Sequence, residues 1–166
     1  MNAPNDRIRD PVCLMWVDPQ DHPLEHRGIH YAFCSEQCRE RFLGSPGLYV
    51  SSAGYHAAAK QQGRQAARRR RWQLRRLPSD TKAEALHAAL NAMMGIDGVH
   101  IAGPLVEVEY DLLQATAAQI EDCIESQGLR LRGSPWQRLC RGWVHYMEDT
   151  QVANMADRTG HSGHHH

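Results

Sequence analysis

The chain has 166 residues, 42% of them hydrophobic, with 19 basic and 19 acidic side chains and therefore no formal net charge. That length suits one domain or two small ones. It holds no run of about 18 apolar residues, which excludes a membrane-spanning helix, and five cysteines cannot all pair as disulfides. The residues after Met1, Asn-Ala-Pro-Asn-Asp-Arg, are polar and offer no apolar h-region of a secretory leader. The expected location is the cytoplasm, where thiols stay reduced and open to metals.

In chain order, the first feature is a C-x20-C-x3-C array of Cys13, Cys34 and Cys38. Thiolates are soft ligands that suit Cu(I), Zn(II) and similar ions. Cys34 and Cys38 at the start of a helix lie about one turn apart and can grip one ion. A loop cysteine from upstream, Cys13, can close the site. A unit of about forty residues has little core of its own and gains much from a closed metal site. Three thiolates suit a trigonal Cu(I) or Ag(I) site, whereas Zn(II) usually takes a fourth ligand. Met15, His26 and His30 are the candidates for that place. The alternative is that the three cysteines are reduced residues packed in a small core.

These residues resemble the YHS family, part of the TRASH group of heavy-metal-binding domains. The resemblance covers roughly residues 7–50 and rests on Asp10-Pro11-Val12-Cys13-Leu14-Met15, Gly28, Tyr31, Phe33-Cys34-Ser35, Cys38, Phe42, Pro46 and Tyr49. Leu14 stands where the family usually has Gly, and all three thiols are in place. Asp10 and Pro11 are expected to shape the loop that presents Cys13.

Residues 51–71 are expected to be a basic linker. Ser51 to Gly63 is rich in Ala, Gln, Gly and Ser, and seven Arg with no acid lie between Arg64 and Arg76. Such a run can contact phosphates or pair with the acidic segment of its own chain, and is most often a solvated face. Between Ser79 and Gln127 there are nine acids and a single Lys.

From residue 72 to 132 the pattern predicts strand, helix, two strands, helix, strand. Trp72 to Leu77 is the first strand, stopped by Pro78. Thr81 and Glu84 form a capping box for a helix with a stripe of Leu86, Ala89, Leu90 and Met93. Gly95 and Gly98 stop it. Val99 to Ile101 and Leu105 to Tyr110 form a strand pair across Gly103-Pro104. Thr116 and Gln119 cap a second helix lined by Ile120, Cys123 and Ile124, with Gly128 at its C′ position. Leu129 to Leu131 closes the set. The fold class is thus α+β: a small Cys-rich β-hairpin/helix module followed by a ferredoxin-like βαββαβ domain. Cys123 and the Met93-Met94 pair are expected to be packing residues.

Gly98-Val99, Val106 to Asp111 and Ile120 to Gly128 are similar to the heavy-metal-associated (HMA) domain of copper chaperones and of the N-terminal regions of heavy-metal P-type ATPases. That family holds its ion with Met-x-Cys-x-x-Cys between the first strand and helix. Here the loop reads Leu77-Pro78-Ser79-Asp80-Thr81-Lys82-Ala83 and has no cysteine. The strand pair also looks shortened. The resemblance implies an HMA-like fold without its metal site, which would instead dock a partner or pack against the cysteine unit.

Residues 133–158 are expected to add a helix with Trp136, Leu139, Cys140, Trp143 and Met147 on one face. The last residues, 159–166, are His-rich, and are either native or a purification tail. No Ser-His-Asp order, phosphate-binding Gly loop or HEXXH helix is present, so the chain is not expected to be an enzyme. The function these features imply is heavy-metal binding, with Cu(I) foremost and Ag(I) or Zn(II) as the other ions. The ion would be handled in metal homeostasis or resistance and delivered to a heavy-metal P-type ATPase or another metal-handling protein. The alternative is a structural zinc module in a nucleic-acid-associated or regulatory protein, for which no helix-turn-helix or aromatic stacking platform is apparent. Reversible disulfide formation among Cys13, Cys34 and Cys38, as in a redox sensor, is a third option.

Overall fold

The computed structural model describes residues 7–51, 58–133, 145–151 and 154–155. Cys140 and the His-rich tail lie outside the described residues, as does most of the expected C-terminal helix, of which residues 145–151 are helical. The described residues divide into two compact units, the first within the residues up to Arg64 and the second over Gln65–Gln151.

The first unit is built from two small hairpins and a helix. Strands β1 (Ile8–Arg9) and β2 (Trp16–Val17) pair antiparallel around the loop that carries Cys13. Strands β3 (Leu24–His26) and β4 (Ile29–Tyr31) pair across a two-residue turn. Arg27 and Gly28 both adopt positive φ there, 54° and 75°, the mirror-type turn that matches strand twist. Helix α1 (Glu36–Gly44) starts at Ser35, whose hydroxyl accepts the N–H of Cys38, and carries Glu36 in its first turn. Pro46 then opens a short 3-10 turn, Pro46–Leu48, because its ring suits a first helical position. The core is aromatic. Phe42 of α1 meets Tyr31, Phe33, His26 and Tyr49 at ring separations of 5.1, 5.3, 5.5 and 6.0 Å. Val12, Ala32 and Leu48 complete it.

The second unit is α+β and ferredoxin-like. Its elements are β5 (Ala67–Gln73), α2 (Asp80–Asn91), β6 (Ile96–Ala102), β7 (Leu105–Asp111) and α3 (Ala117–Ser126). The three strands form an antiparallel sheet in the order β5-β7-β6. Leu131 adds a bridge to Leu74, and the N–H of Arg75 donates to Arg130 O at 2.7 Å, so the final expected strand is present as one short pairing beside β5. Leu86 and Leu90 of α2, Ile120 and Ile124 of α3, and Val106, Val108 and Tyr110 of β7 are fully buried.

Four expectations need correction. The first strand runs over Ala67–Gln73 rather than Trp72–Leu77, so Ala67–Arg71 of the expected basic linker is sheet. Register explains it: Arg69 stands opposite Glu109 and Arg71 opposite Glu107 on β7, and both pairs form ion contacts across the strands. Helix α2 is capped by Ser79, whose hydroxyl accepts the N–H of Lys82 at 3.4 Å, not by Thr81 with Glu84. The β6–β7 pair is seven residues long on each side and is not shortened. Gly98 sits within β6 at a bulge rather than ending a helix. Gly95 does serve as a break: its φ is +79°, and a Cβ there would stand 2.4 Å from Gln114 Cβ. The Thr116–Gln119 capping box of α3 is present in both halves, and Gly128 follows the helix at φ 72°.

Candidate metal centre

The three cysteines come from two short loops and one helix turn of the first unit. Cys13 lies in the β1–β2 loop. Cys34 immediately precedes the Ser35 cap, and Cys38 sits in the first turn of α1. The cap therefore fixes both ends of the C-x3-C pair, since Ser35 Oγ holds the N–H of Cys38 at 3.4 Å.

A buried carboxylate joins these segments. One oxygen of Asp10 accepts the N–H of Val12 at 2.7 Å and of Cys13 at 3.3 Å. The other accepts the N–H of Cys34 at 2.9 Å. Asp10 is fully buried, and three backbone donors offset the cost of removing its charge from water. Backbone bonds from Asp10 N to Met15 O and from Leu14 N to Asp10 O, both 2.9 Å, close the loop around Cys13. Leu14 takes the left-handed conformation, φ 67°, to make that turn.

The sulfurs converge. Cys13 Sγ lies 3.4 Å from Cys34 Sγ, and Cys34 Sγ lies 3.6 Å from Cys38 Sγ. One ligand atom from each of Asp10, Cys13, Cys34 and Cys38 falls within 4.8 Å of every other. Sulfurs bound at about 2.3 Å stand about 3.8 Å apart around a tetrahedral ion and about 4.0 Å apart around a trigonal one. The observed spacing is close to both and well beyond the disulfide bond length of about 2.05 Å. All the cysteines among the described residues are free.

Proton sharing within the trio is uneven. Cys13 is held below the ordinary thiol value, first because it receives a hydrogen bond from Cys38. Cys34 is pushed up to about 12, chiefly by burial. Cys38 is raised by the hydrogen bond that it gives to Cys13, then by burial and by the charge of Asp10. Without a cation, Cys13 is therefore the first of the three thiols to ionise.

The three candidates for a fourth ligand are placed differently. His30 Nε2 is 2.8 Å from the carbonyl of Pro19, and the ring of His26 stands edge-on to Phe42. Neither histidine belongs to the cluster. The Met15 side chain is 50% exposed beside the 60% exposed Trp16. Asp10 instead places a carboxylate oxygen within 4.8 Å of all three sulfurs. Its sequence signal was the Asp-Pro-x-Cys spacing, which points to loop shaping, and the same carboxylate reaches the cluster.

No protein-family profile matches the chain. A stretch of 47 residues, 27% of this chain, is 47% identical to a copper-transporting P-type ATPase of Rhizobium leguminosarum bv. viciae; the match spans 6% of that protein's length. Among solved structures, the CopZ metallochaperone is matched over its full length and 39% of this chain, at 22% identity and a TM-score of 0.37. A putative copper-ion-binding protein from Bacillus anthracis is matched over 97% of its length and 40% of this chain, at 22% identity and a TM-score of 0.38. The N-terminal soluble domains of Bacillus subtilis CopA are matched over 48% of their length and 41% of this chain, at 18% identity and a TM-score of 0.38. Among the described residues, no helix is long and apolar enough to cross a membrane.

Proposed function

We propose that this protein binds a soft heavy-metal ion, Cu(I) foremost and Ag(I) alike, through Cys13, Cys34 and Cys38, and handles it in metal homeostasis or resistance. The first unit is read as a YHS-type module. The observation that carries the proposal is the convergence of three sulfurs, spaced at 3.4 and 3.6 Å, on segments tied together by one buried carboxylate. Three thiolates with a partly exposed Cys13 leave an open side from which a partner's thiolate can join the ion before one of the protein's own leaves. Such exchange delivers an ion without releasing it to water. The identity shared with a copper-transporting P-type ATPase supports an ATPase or a similar metal-handling protein as the recipient. The protein is read as a cytoplasmic carrier rather than a catalyst.

An anaerobic Cu(I) and Zn(II) competition titration of wild type beside Cys13→Ser, Cys34→Ser and Cys38→Ser tests this. One Cu(I) per chain, bound tightly and lost in each variant, is the expected result. Unchanged binding in the variants would reject the three-cysteine site.

A second reading, a structural zinc site, is favoured by one observation: Asp10 places an oxygen among the three sulfurs and offers a tetrahedral set. Its weakness is that the oxygens of Asp10 are already engaged by the N–H groups of Val12, Cys13 and Cys34. Binding of Zn(II) alone, with unfolding on chelation, would favour it.

A further inference from the structure

The arginine run separates into two groups once the second unit folds. On β5, Arg69 pairs with Glu109, Arg71 with Glu107, and Arg70 with the buried Glu148 at 3.0 Å. Hydrogen bonding to Arg71 holds the Glu107 carboxyl below its usual range, as expected of a satisfied pair. Arg75 and Arg76 lie beyond the end of the strand. They line an open cavity of about 440 Å³ together with Lys82 of α2, Arg130 from the segment after α3, and Leu77, Pro78, Ser79, Gly128 and Leu129. None of these four cations has a carboxylate partner among the described residues, and no acidic side chain lines the cavity.

The backbone holds the cluster together. Arg75 N donates to Arg130 O at 2.7 Å, which sets these two residues side by side just beyond β5. A Cβ on Gly128 would meet Lys82 Nζ at 3.7 Å, so the ammonium lies directly over that turn. Three guanidinium groups and one ammonium around one concavity repel each other unless an anion sits among them. Guanidinium forks match phosphate oxygens in pairs, and a lysine adds a point charge. The floor also includes Ser79, at the start of α2, where the helix dipole adds to the positive potential.

We propose that this cavity binds a small phosphate-bearing anion, held by Arg75, Arg76, Arg130 and Lys82. The site is separate from the thiol centre and independent of the metal-binding proposal. Its size fits a mono- or diphosphate group with a small substituent. A long nucleic-acid strand would also need the Arg69–Arg71 face, whose charges are already committed to glutamates.

Pyrophosphate titrated into the full-length, isotope-labelled chain at constant ionic strength tests the site by amide chemical shifts. The expected result is saturable binding with shifts centred on residues 75–82 and 128–130. Arg76→Gln combined with Lys82→Gln should weaken binding about tenfold or more, since two charge-assisted contacts are lost. All these side chains are exposed, so the fold should persist, which the unchanged spectrum of the remaining residues would verify. Arg69→Gln should leave affinity unaltered. Absence of saturation, an unaffected double variant, or shifts centred on β5 in favour of a single-stranded oligonucleotide would each overturn the proposal.

Discussion

The carboxylate of Asp10 holds the N–H of Cys34 at 2.9 Å, across 24 positions of sequence, while its other oxygen holds the loop of Cys13. The two halves of the thiol cluster are therefore aligned by a residue whose charge opposes thiolate formation nearby. Its role is to position. Asp10→Asn keeps the volume but turns one acceptor into a donor facing backbone N–H groups. It should destabilise the protein by about 2–3 kcal/mol in chemical denaturation and lower metal affinity about 10- to 100-fold. An unaltered denaturation midpoint and unaltered affinity would show that the loop organises itself without Asp10.

Leu14 gives an opportunity in the opposite direction. Its φ of 67° is the left-handed region, and Leu14 remains 38% exposed, so burial offsets the strain only in part. Leu14→Gly should stabilise the metal-free protein by about 1 kcal/mol by removing the Cβ clash, with metal stoichiometry unchanged. A lower denaturation midpoint in the variant would mean that the Leu14 side chain supports the loop more than its backbone strains it.

The thiol protonation pattern fixes the sign of a pH effect. Cys34, raised to about 12, and Cys38, raised as well, are protonated near neutrality, whereas Cys13 is lowered. An ion bound as three thiolates must displace the protons of Cys34 and Cys38, so affinity rises with pH. The loss of at least these two protons corresponds to a gain in apparent affinity of about a hundredfold or more per pH unit. Competition titrations at pH 7 and pH 8, or proton release in weak buffer, measure this. The metal-free fold has its own dependence. Between the ordinary thiol value of 9.0 and about 12, the unfolded chain has lost the Cys34 proton while the folded chain keeps it. Stability without metal should fall as pH climbs through that window, and bound metal should abolish the fall. A flat affinity profile would indicate that the thiols are already ionised in the metal-free state.

The thiol cluster was legible because a C-x3-C spacing on a capped helix leaves little freedom for two sulfurs. The helix faces of Leu86 with Leu90 and of Ile120 with Ile124 were legible for the same reason, that burial follows the helical period. β5 was hidden because Arg68 to Arg71 carry no apolar alternation. Their strand character comes from Glu107 and Glu109, residues about forty positions away, and only the register on β7 reveals it. Ser79 was missed as a cap because Thr81-x-x-Glu84 offers a fuller local pattern, yet the chain turns two residues earlier after Pro78. Glu148 carries no sequence signal either, since its partners come from three separate elements.

Those partners make Glu148 the clearest energetic test in the second unit. It is 2% exposed and accepts the hydroxyl of Tyr110 at 2.5 Å, the guanidinium of Arg70 at 3.0 Å and the N–H of Ala117 at 2.9 Å. Burial and this hydrogen bond raise Tyr110 above its ordinary phenol value, so it stays a donor at neutral pH. The helical segment over residues 145–151 is thereby pinned to β5, β7 and the start of α3. Glu148→Ala leaves Arg70, Tyr110 and the Ala117 N–H without their shared acceptor and should cost about 3–5 kcal/mol. Amide exchange in residues 145–151 should accelerate strongly in that variant. Tyr110→Phe removes one bond of the three and should cost about 1 kcal/mol. A Glu148→Ala variant within about 0.5 kcal/mol of wild type, the ordinary range for a surface site, would show that the segment is held by apolar contacts alone.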